Sequence, residues 1–194
     1  MKLSRINTLL LIAILIINSY IVLAPLIPKV SFWLAEHTSS QYNKLTKQID
    51  NTASSKVDAT PEDNRLIIPA MLLNTQIAEG KDESALRNGP WRRPNSSTPD
   101  KGGNTVIVAH RFTYKAPKGS FYFLDKLKPG DKIGVFWHGK KYIYSVKTTE
   151  VVAPSSISVE AQTSTAQLTL YTCTPLWAPK DRLVVIANLE KTNE

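Results

Sequence analysis

Two hydrophobic rhythms divide the chain. From Ile6 to Pro28 there are 23 consecutive uncharged residues, 17 of them Ala, Val, Ile, Leu or Tyr. As a helix this run is about 35 Å long, enough to cross a hydrocarbon layer of about 30 Å. Lys2 and Arg5 precede it, whereas Lys29 and Glu36 follow it, so the positive-inside rule places the N-terminus in the cytoplasm and the rest of the chain outside. A cleaved signal peptide is the rival reading; the apolar run is long for one, and no Ala-X-Ala site follows. Residues 1–29 are therefore read as a cytoplasmic tip and transmembrane anchor, and residues 30–64 as an extracellular stalk. The stretch 36–64 is rich in Ser, Thr, Asn, Gln, Lys and Asp, a composition that cannot bury a core, although Tyr42, Leu45 and Ile49 recur at helical spacing.

Beyond Arg65 the rhythm changes. RLIIPAMLL, NTVIVAH, DKIGVFWHG, KKYIYSVKTTEVV, QLTLYTC and RLVVIANLE are short, rich in β-branched and aromatic residues, and punctuated by Pro, Gly, Asn and Asp, which predicts strands. Only ESALRNG and FYFLDKL read as helical turns, and neither is long enough for the crossover helix of a parallel sheet. The expected fold is all-β, a closed or nearly closed antiparallel barrel over residues 65–190 within a domain of residues 65–194. Gly139, between two strand-like runs, marks a hairpin turn. Its neighbour His138 is then a solvated turn residue, and His37, at the membrane exit, is treated alike.

Composition narrows the chemistry. The 194 residues carry 24 Lys plus Arg against 16 Asp plus Glu. Residues 1–29 hold three of the cations and none of the acids, so the outer part keeps a surplus of five. That surplus is interleaved with acids instead of clustered, which argues against a nucleic-acid partner and for a basic surface near an anionic wall or membrane. One Cys and three His exclude an intramolecular disulfide framework and a zinc set of Cys/His spacing. No metal and no cofactor is expected. Glu79, Asp82 and Glu83 are oxygen donors in a solvated acidic turn, and calcium dependence is left open.

Cys173 ends the run QLTLYTC, and the two prolines in TPLWAPKD stop further pairing, so the thiol lies at a strand's C-terminal rim. Alternation puts Thr169, Tyr171 and Cys173 on one face and Leu168, Leu170 and Thr172 on the other. Arg182 opens the next run, and a hairpin with an eight-residue loop sets its guanidinium beside Cys173, where it favours the thiolate and donates to an oxyanion. His110 closes NTVIVAH at another strand end. A lone Cys is commonly a small buried hydrophobe, and a strand-end His is commonly structural. Their coincidence in an extracellular domain instead suggests thiol acyl transfer.

These residues carry a resemblance. TLYTC, Thr169 to Cys173, matches the Thr-Leu-X-Thr-Cys signature of sortases, with Arg182 nine residues on and His110 upstream. LIIPAMLLNTQIAEG looks like the family's first strands, ALRNGPWRRP followed by GGNTVIVAHR like its approach to the His, and FLDKLKPGDKIGVF like the following helix and strand. The likeness covers roughly residues 65–190 and is class D/E-like. Ala109 departs from the Gly that many members have before the His, and no Asp-Pro-aromatic lid motif precedes the barrel, which speaks against pilin polymerisation.

The resemblance implies an eight-stranded sortase barrel and a cysteine transpeptidase. Its substrates would be secreted proteins with a C-terminal Leu-Pro-X-Thr-Gly- or Leu-Ala-X-Thr-Gly-like motif, cut between Thr and Gly and joined to a cell-wall or peptidoglycan amine. Carried over, Cys173 attacks the Thr carbonyl, His110 protonates the departing amine and deprotonates the incoming one, and Arg182 holds the oxyanion. Thr172 would help shape the motif groove. Trp177, in the loop between Cys173 and Arg182, either walls that groove or packs on the rim; Trp91 and Tyr171 read as structural. The rival classes are a non-catalytic anchored barrel that binds anionic wall polymer and a cysteine protease that releases its product to water. An L,D-transpeptidase is ranked low, because the Ser-His-Gly-Cys type of signature is absent.

Overall fold

The computed structural model describes residues 2–37, 40–50, 61, 63–113 and 121–193. The middle of the expected stalk, the polar segment 114–120 after His110 and the His37 side chain lie outside what it describes. Three helices come first: α1 (Lys2–Leu23), α2 (Ile27–His37) and α3 (Ser40–Asp50). A 3-10 turn at Ala24–Leu26, set by Pro25 in its first turn, links α1 to α2. Ser4–Leu34 is long and apolar enough to cross a membrane, and its Leu and Ile side chains from Ile6 to Leu23 are exposed.

Eight strands follow: β1 (Arg65–Ile68), β2 (Leu73–Gln76), β3 (Trp91–Arg92), β4 (Asn104–Val108), β5 (Lys132–Trp137), β6 (Lys140–Val152), β7 (Gln167–Thr174) and β8 (Asp181–Asn193). They form one curled sheet in the order β2-β1-β5-β6-β8-β7-β4-β3. Its edges, β2 and β3, share no ladder; among the described residues the seam is spanned by a single bridge, Ala78 to Trp91. The eight strands are thus a half-barrel sheet and not a ladder closed all round. A second correction concerns direction, because β4 and β7 pair in parallel. The chain between them contains the β5–β6 hairpin and, among the described residues, only short 3-10 turns in place of an α-helix, a crossover that local pattern does not announce.

Turn chemistry agrees with the expectation. Trp137 pairs with Lys140, leaving His138 and Gly139 as a two-residue loop with φ of 50° and 74°, the left-handed conformation that tight hairpins need. The segment Glu83–Asn88 and the turn Leu124–Lys126 are 3-10 helices.

Alternation sorts the side chains into two layers. Ile107 and Ala109 of the β4 run, Leu168 and Leu170 of β7, and Leu183, Val185 and Ala187 of β8 point into the main core with Phe121, Leu124, Ile133 and Tyr144. On the opposite face Val106, Val108 and Tyr171 pack with Trp91 and Ala85. Trp91 is fully buried and its indole donates to Gly80 O at 3.0 Å, so its role is structural, as expected.

The stretch read as a stalk contains α3, and α3 is docked. Its Leu45 and Ile49 are buried against Ile67, Phe136 and Ile143 on the outer face of β1, β5 and β6. Gly134 makes room for it: a Cβ there would meet Ile49 Cγ1 at 3.0 Å. Lys141 Nζ donates to Ile49 O at the helix C-terminus, where a cation is favoured. Further back, Tyr122 Oη donates to Pro25 O at 2.9 Å, and the Phe32 and Phe123 rings pack at a tilt of 42° with centroids 4.4 Å apart.

Candidate active site

β7 runs between β8 and β4, and this order assembles the site. Cys173 pairs directly with Arg182 across β7 and β8. Pairing continues to Thr174 and Asp181, so the connecting loop is Pro175–Lys180, two residues shorter than the sequence suggested; Lys180 N closes it on Thr174 O at 3.0 Å. On the other side the parallel ladder joins Val108 to Tyr171, and Ala109 N extends it by donating to Tyr171 O. The register ends there: β4 stops at Val108, and His110 follows two residues later, just as Cys173 follows Tyr171. Cys173 and Arg182 sit on adjacent strands about 4.8 Å apart, and His110 lies just past the end of the strand on the other side of β7.

Cys173 and Arg182 also share a face. Tyr171 and Val184 alternate with core-facing neighbours, and Cys173 and Arg182, paired across the two strands, continue those outward series. His110 is exposed, whereas Cys173 and Arg182 are half-buried. Arg182 Nη1 donates to Asp181 O at 3.1 Å, which holds the guanidinium at the rim. A half-buried thiol paired with a guanidinium, with a histidine at the end of the next strand, is a set of groups that could serve as nucleophile, oxyanion donor and proton shuttle.

Thr172 is elsewhere. It is 2% exposed and belongs to the inward series of Leu168 and Leu170, so it does not line the outer face. Its hydroxyl donates to Ala109 O at 2.8 Å, tying β7 to the end of β4 beneath the site. Trp177 lies in the β7–β8 loop with 67% of its surface exposed, and it is not packed on the barrel rim.

One network escaped sequence reading. Glu160, in the 3-10 turn Ile157–Glu160 between β6 and β7, accepts from Tyr171 Oη at 2.5 Å and from Arg93 Nε at 3.1 Å. Arg93 also covers the Trp91 ring at 4.9 Å. Burial, with the Glu160 carboxylate beside it, pushes the Tyr171 phenol well above its ordinary range, so it remains a donor at neutral pH. Asn104 Nδ2 donates to Val159 O and Ala161 O, both at 3.0 Å, and Asn104 Oδ1 accepts from Thr169 Oγ1 at 2.8 Å. The β6–β7 connection is thereby fastened over the face that carries Cys173. A cavity of about 260 Å³ beside it is lined by Trp91, Arg93 and Glu160, among others, and by none of the three rim residues.

The acidic turn is engaged within the chain. Glu79 accepts from Arg92 Nε at 2.8 Å, and Asp82 Oδ1 caps Ser84 N at 2.9 Å. Among the described residues no three His, Cys, Asp or Glu side chains gather as metal ligands would.

Residues 66–190 match the family model described as the Sortase domain. The chain is 28% identical over 131 residues to sortase D of Bacillus subtilis, covering 67% of this chain and 63% of that protein. It is 26% identical over 156 residues to sortase A of Listeria monocytogenes, covering 80% and 68% respectively. The chain thus spans about two thirds of the length of these curated relatives. Among solved structures, Listeria monocytogenes sortase A superposes with a TM-score of 0.61 at 26% identity, covering 70% of this chain and 90% of that one. A Streptomyces coelicolor sortase with a tripeptide in its active site gives a TM-score of 0.60 at 27% identity, with coverages of 69% and 91%.

Proposed function

Because this chain belongs to the sortase family, we propose that it is a membrane-anchored cysteine transpeptidase whose acyl transfer runs through Cys173, His110 and Arg182. The Cys173 sulfur attacks the carbonyl carbon of Thr in a Leu-Pro-X-Thr-Gly- or Leu-Ala-X-Thr-Gly-like motif. The carbonyl electron pair moves onto oxygen, where Arg182 donates to it. When the carbonyl reforms, the C–N bond to Gly breaks and His110 gives the leaving amine its proton. The resulting thioester on Cys173 is then attacked by a cell-wall amine, His110 takes that amine's proton, and sulfur departs as the new amide forms. Trp177, exposed on the β7–β8 loop, offers an indole against which an extended peptide can lie.

What supports this reading is the direct pairing of Cys173 with Arg182, together with a parallel β4–β7 register that ends at Val108 and Tyr171, two residues before His110 and Cys173. Anchoring rests on α1: its exposed apolar surface suits lipid, and its basic flank suits the cytoplasmic side. The catalytic sheet would then act outside the cell, on secreted proteins.

The test uses the full chain in detergent micelles with a fluorogenic sorting-motif peptide and a primary amine. The expected result is a peptide–amine conjugate whose yield rises with amine concentration and which Cys173→Ala abolishes. A product split between hydrolysis and conjugate that ignores the amine would make the protein a hydrolase. Retained anionic-polymer binding with no cleavage by the wild type would make it a binding barrel.

A further inference from the structure

The backbone ladder between β4 and β7 ends one residue short of His110. Its last bond is Ala109 N to Tyr171 O, at 3.3 Å, so no strand pairing sets the spacing between His110 and Cys173 themselves. The next residue on each chain closes that gap. Arg111 follows His110 and Thr174 follows Cys173, and Arg111 Nη1 donates to Thr174 Oγ1 at 3.1 Å. The other arm of the guanidinium, Nη2, pairs with Asp125 Oδ1 at 3.1 Å. Asp125 lies in the turn Leu124–Lys126, which is moored by the fully buried Leu124 and Phe121; Phe121 N in turn donates to His110 O at 2.9 Å.

Arg111 has the character of a built-in strut. Its side chain is 13% exposed, against 55% for Asp125, so the carboxylate meets water while the guanidinium is enclosed. It continues the inward series of Ile107 and Ala109, just as Thr174 continues that of Leu170 and Thr172. It therefore sits behind the rim, on the side away from the face that carries Cys173. A planar fork reaching two acceptors at once fixes a distance better than an ammonium does.

We propose that Arg111 is a positioning residue: by bridging Thr174 and Asp125 it fixes the separation of His110 from Cys173, where the sheet no longer does. This rests on the acyl-transfer reading above. Proton transfer between imidazole and the sulfur-bound reaction centre is sensitive to sub-ångström placement, and misplacement of this kind costs rate more than binding.

The experiment measures kcat and KM for peptide-to-amine transfer, and the pH profile of Cys173 alkylation by iodoacetamide, in the full chain and in Arg111→Met, Arg111→Lys and Thr174→Val. Arg111→Met is expected to lower kcat about tenfold or more with KM within about twofold, and to displace the alkylation profile. Thr174→Val, which deletes one acceptor and leaves the Asp125 pair, is expected to show the same split more weakly. Arg111→Lys keeps the charge and is expected to fall between Arg111→Met and wild type. Wild-type kcat and an unmoved profile in Arg111→Met would overturn the proposal, as would a loss in both Arg111→Met and Thr174→Val that follows only the lost folded fraction in thermal melts. If the wild type transfers and the variants match it, the inference alone fails; if the wild type transfers nothing, the acyl-transfer reading fails and takes the inference with it.

Discussion

Cys173 and Arg182 are nearest neighbours across an antiparallel pair, separated by the loop Pro175–Lys180. Cross-strand partners of this kind have side chains on one face and Cβ atoms about 5 Å apart. The thiol and the guanidinium therefore belong to one environment whatever the loop does. On the proposed mechanism the oxyanion donor is then beside the nucleophile, and the imidazole comes from the segment after β4. Arg182→Ala should lower kcat by about 10²–10³-fold, the range for loss of one oxyanion donor, with KM little changed. Steady-state kinetics check this, and a KM effect alone would assign Arg182 to substrate binding.

The Glu160 link between Tyr171 and Arg93 predicts a specificity effect. Tyr171→Phe deletes the donor at 2.5 Å but keeps the ring in its apolar cluster. We expect a stability loss of about 1–2 kcal/mol and a raised KM for peptide, because the β6–β7 connection loses one of its fastenings over the active face. Urea titration and peptide kinetics read the two effects separately. An unchanged KM together with the stability loss would make the network purely structural.

The docked helix α3 makes a mechanical prediction. Ile49→Ala should cost about 2–4 kcal/mol, the usual range for an emptied apolar site, since Ile49 is 2% exposed. Gly134→Ala pushes on the same contact from the sheet side, where the added methyl would approach Ile49 Cγ1 to 3.0 Å, and should destabilise too. Thermal or urea melts of the two single variants and the double variant check this. Additive losses in the double variant would show that the two residues do not share one contact.

Acid should weaken the fold. The Arg65 guanidinium holds the Asp63 carboxyl below its ordinary range, and Lys132 does so for Glu190. A carboxyl whose folded pKa is depressed stabilises the fold above its unfolded pKa, and that contribution is lost as pH falls through the folded value. Melting temperature should be flat near neutrality and drop below about pH 4, near the unfolded carboxyl range. Asp63→Asn should lower the plateau and flatten the drop. A wild-type melting temperature that rises on acidification would contradict this.

Much of this architecture was legible because it is local. Period-two runs marked every long strand, His138 and Gly139 announced their hairpin, and the short span between Cys173 and Arg182 let one turn bring them together. What escaped depends on distant partners. The parallel pairing joins Asn104 to Gln167 and Val108 to Tyr171, with two whole strands in between, and nothing in NTVIVAH or QLTLYTC distinguishes a parallel from an antiparallel neighbour. Arg93 and Glu160 are 67 residues apart and lie in polar segments that resemble ordinary loops. In α3, two apolar residues one turn apart in a polar stretch were too few to predict docking; it took the bare backbone of Gly134 to accept them.

The central claim is that Cys173 carries an acyl group during turnover, and intact-protein mass spectrometry tests it most directly. The full chain is mixed with a sorting-motif peptide, quenched in acid within seconds, and digested to locate any adduct. The account predicts a thioester on Cys173 with the mass of the peptide up to its Thr, which disappears when a primary amine is added and reappears as the peptide–amine conjugate. Conjugate formed at undiminished rate by Cys173→Ala, or turnover with no acyl mass on Cys173 in the wild type under any quench, would contradict it.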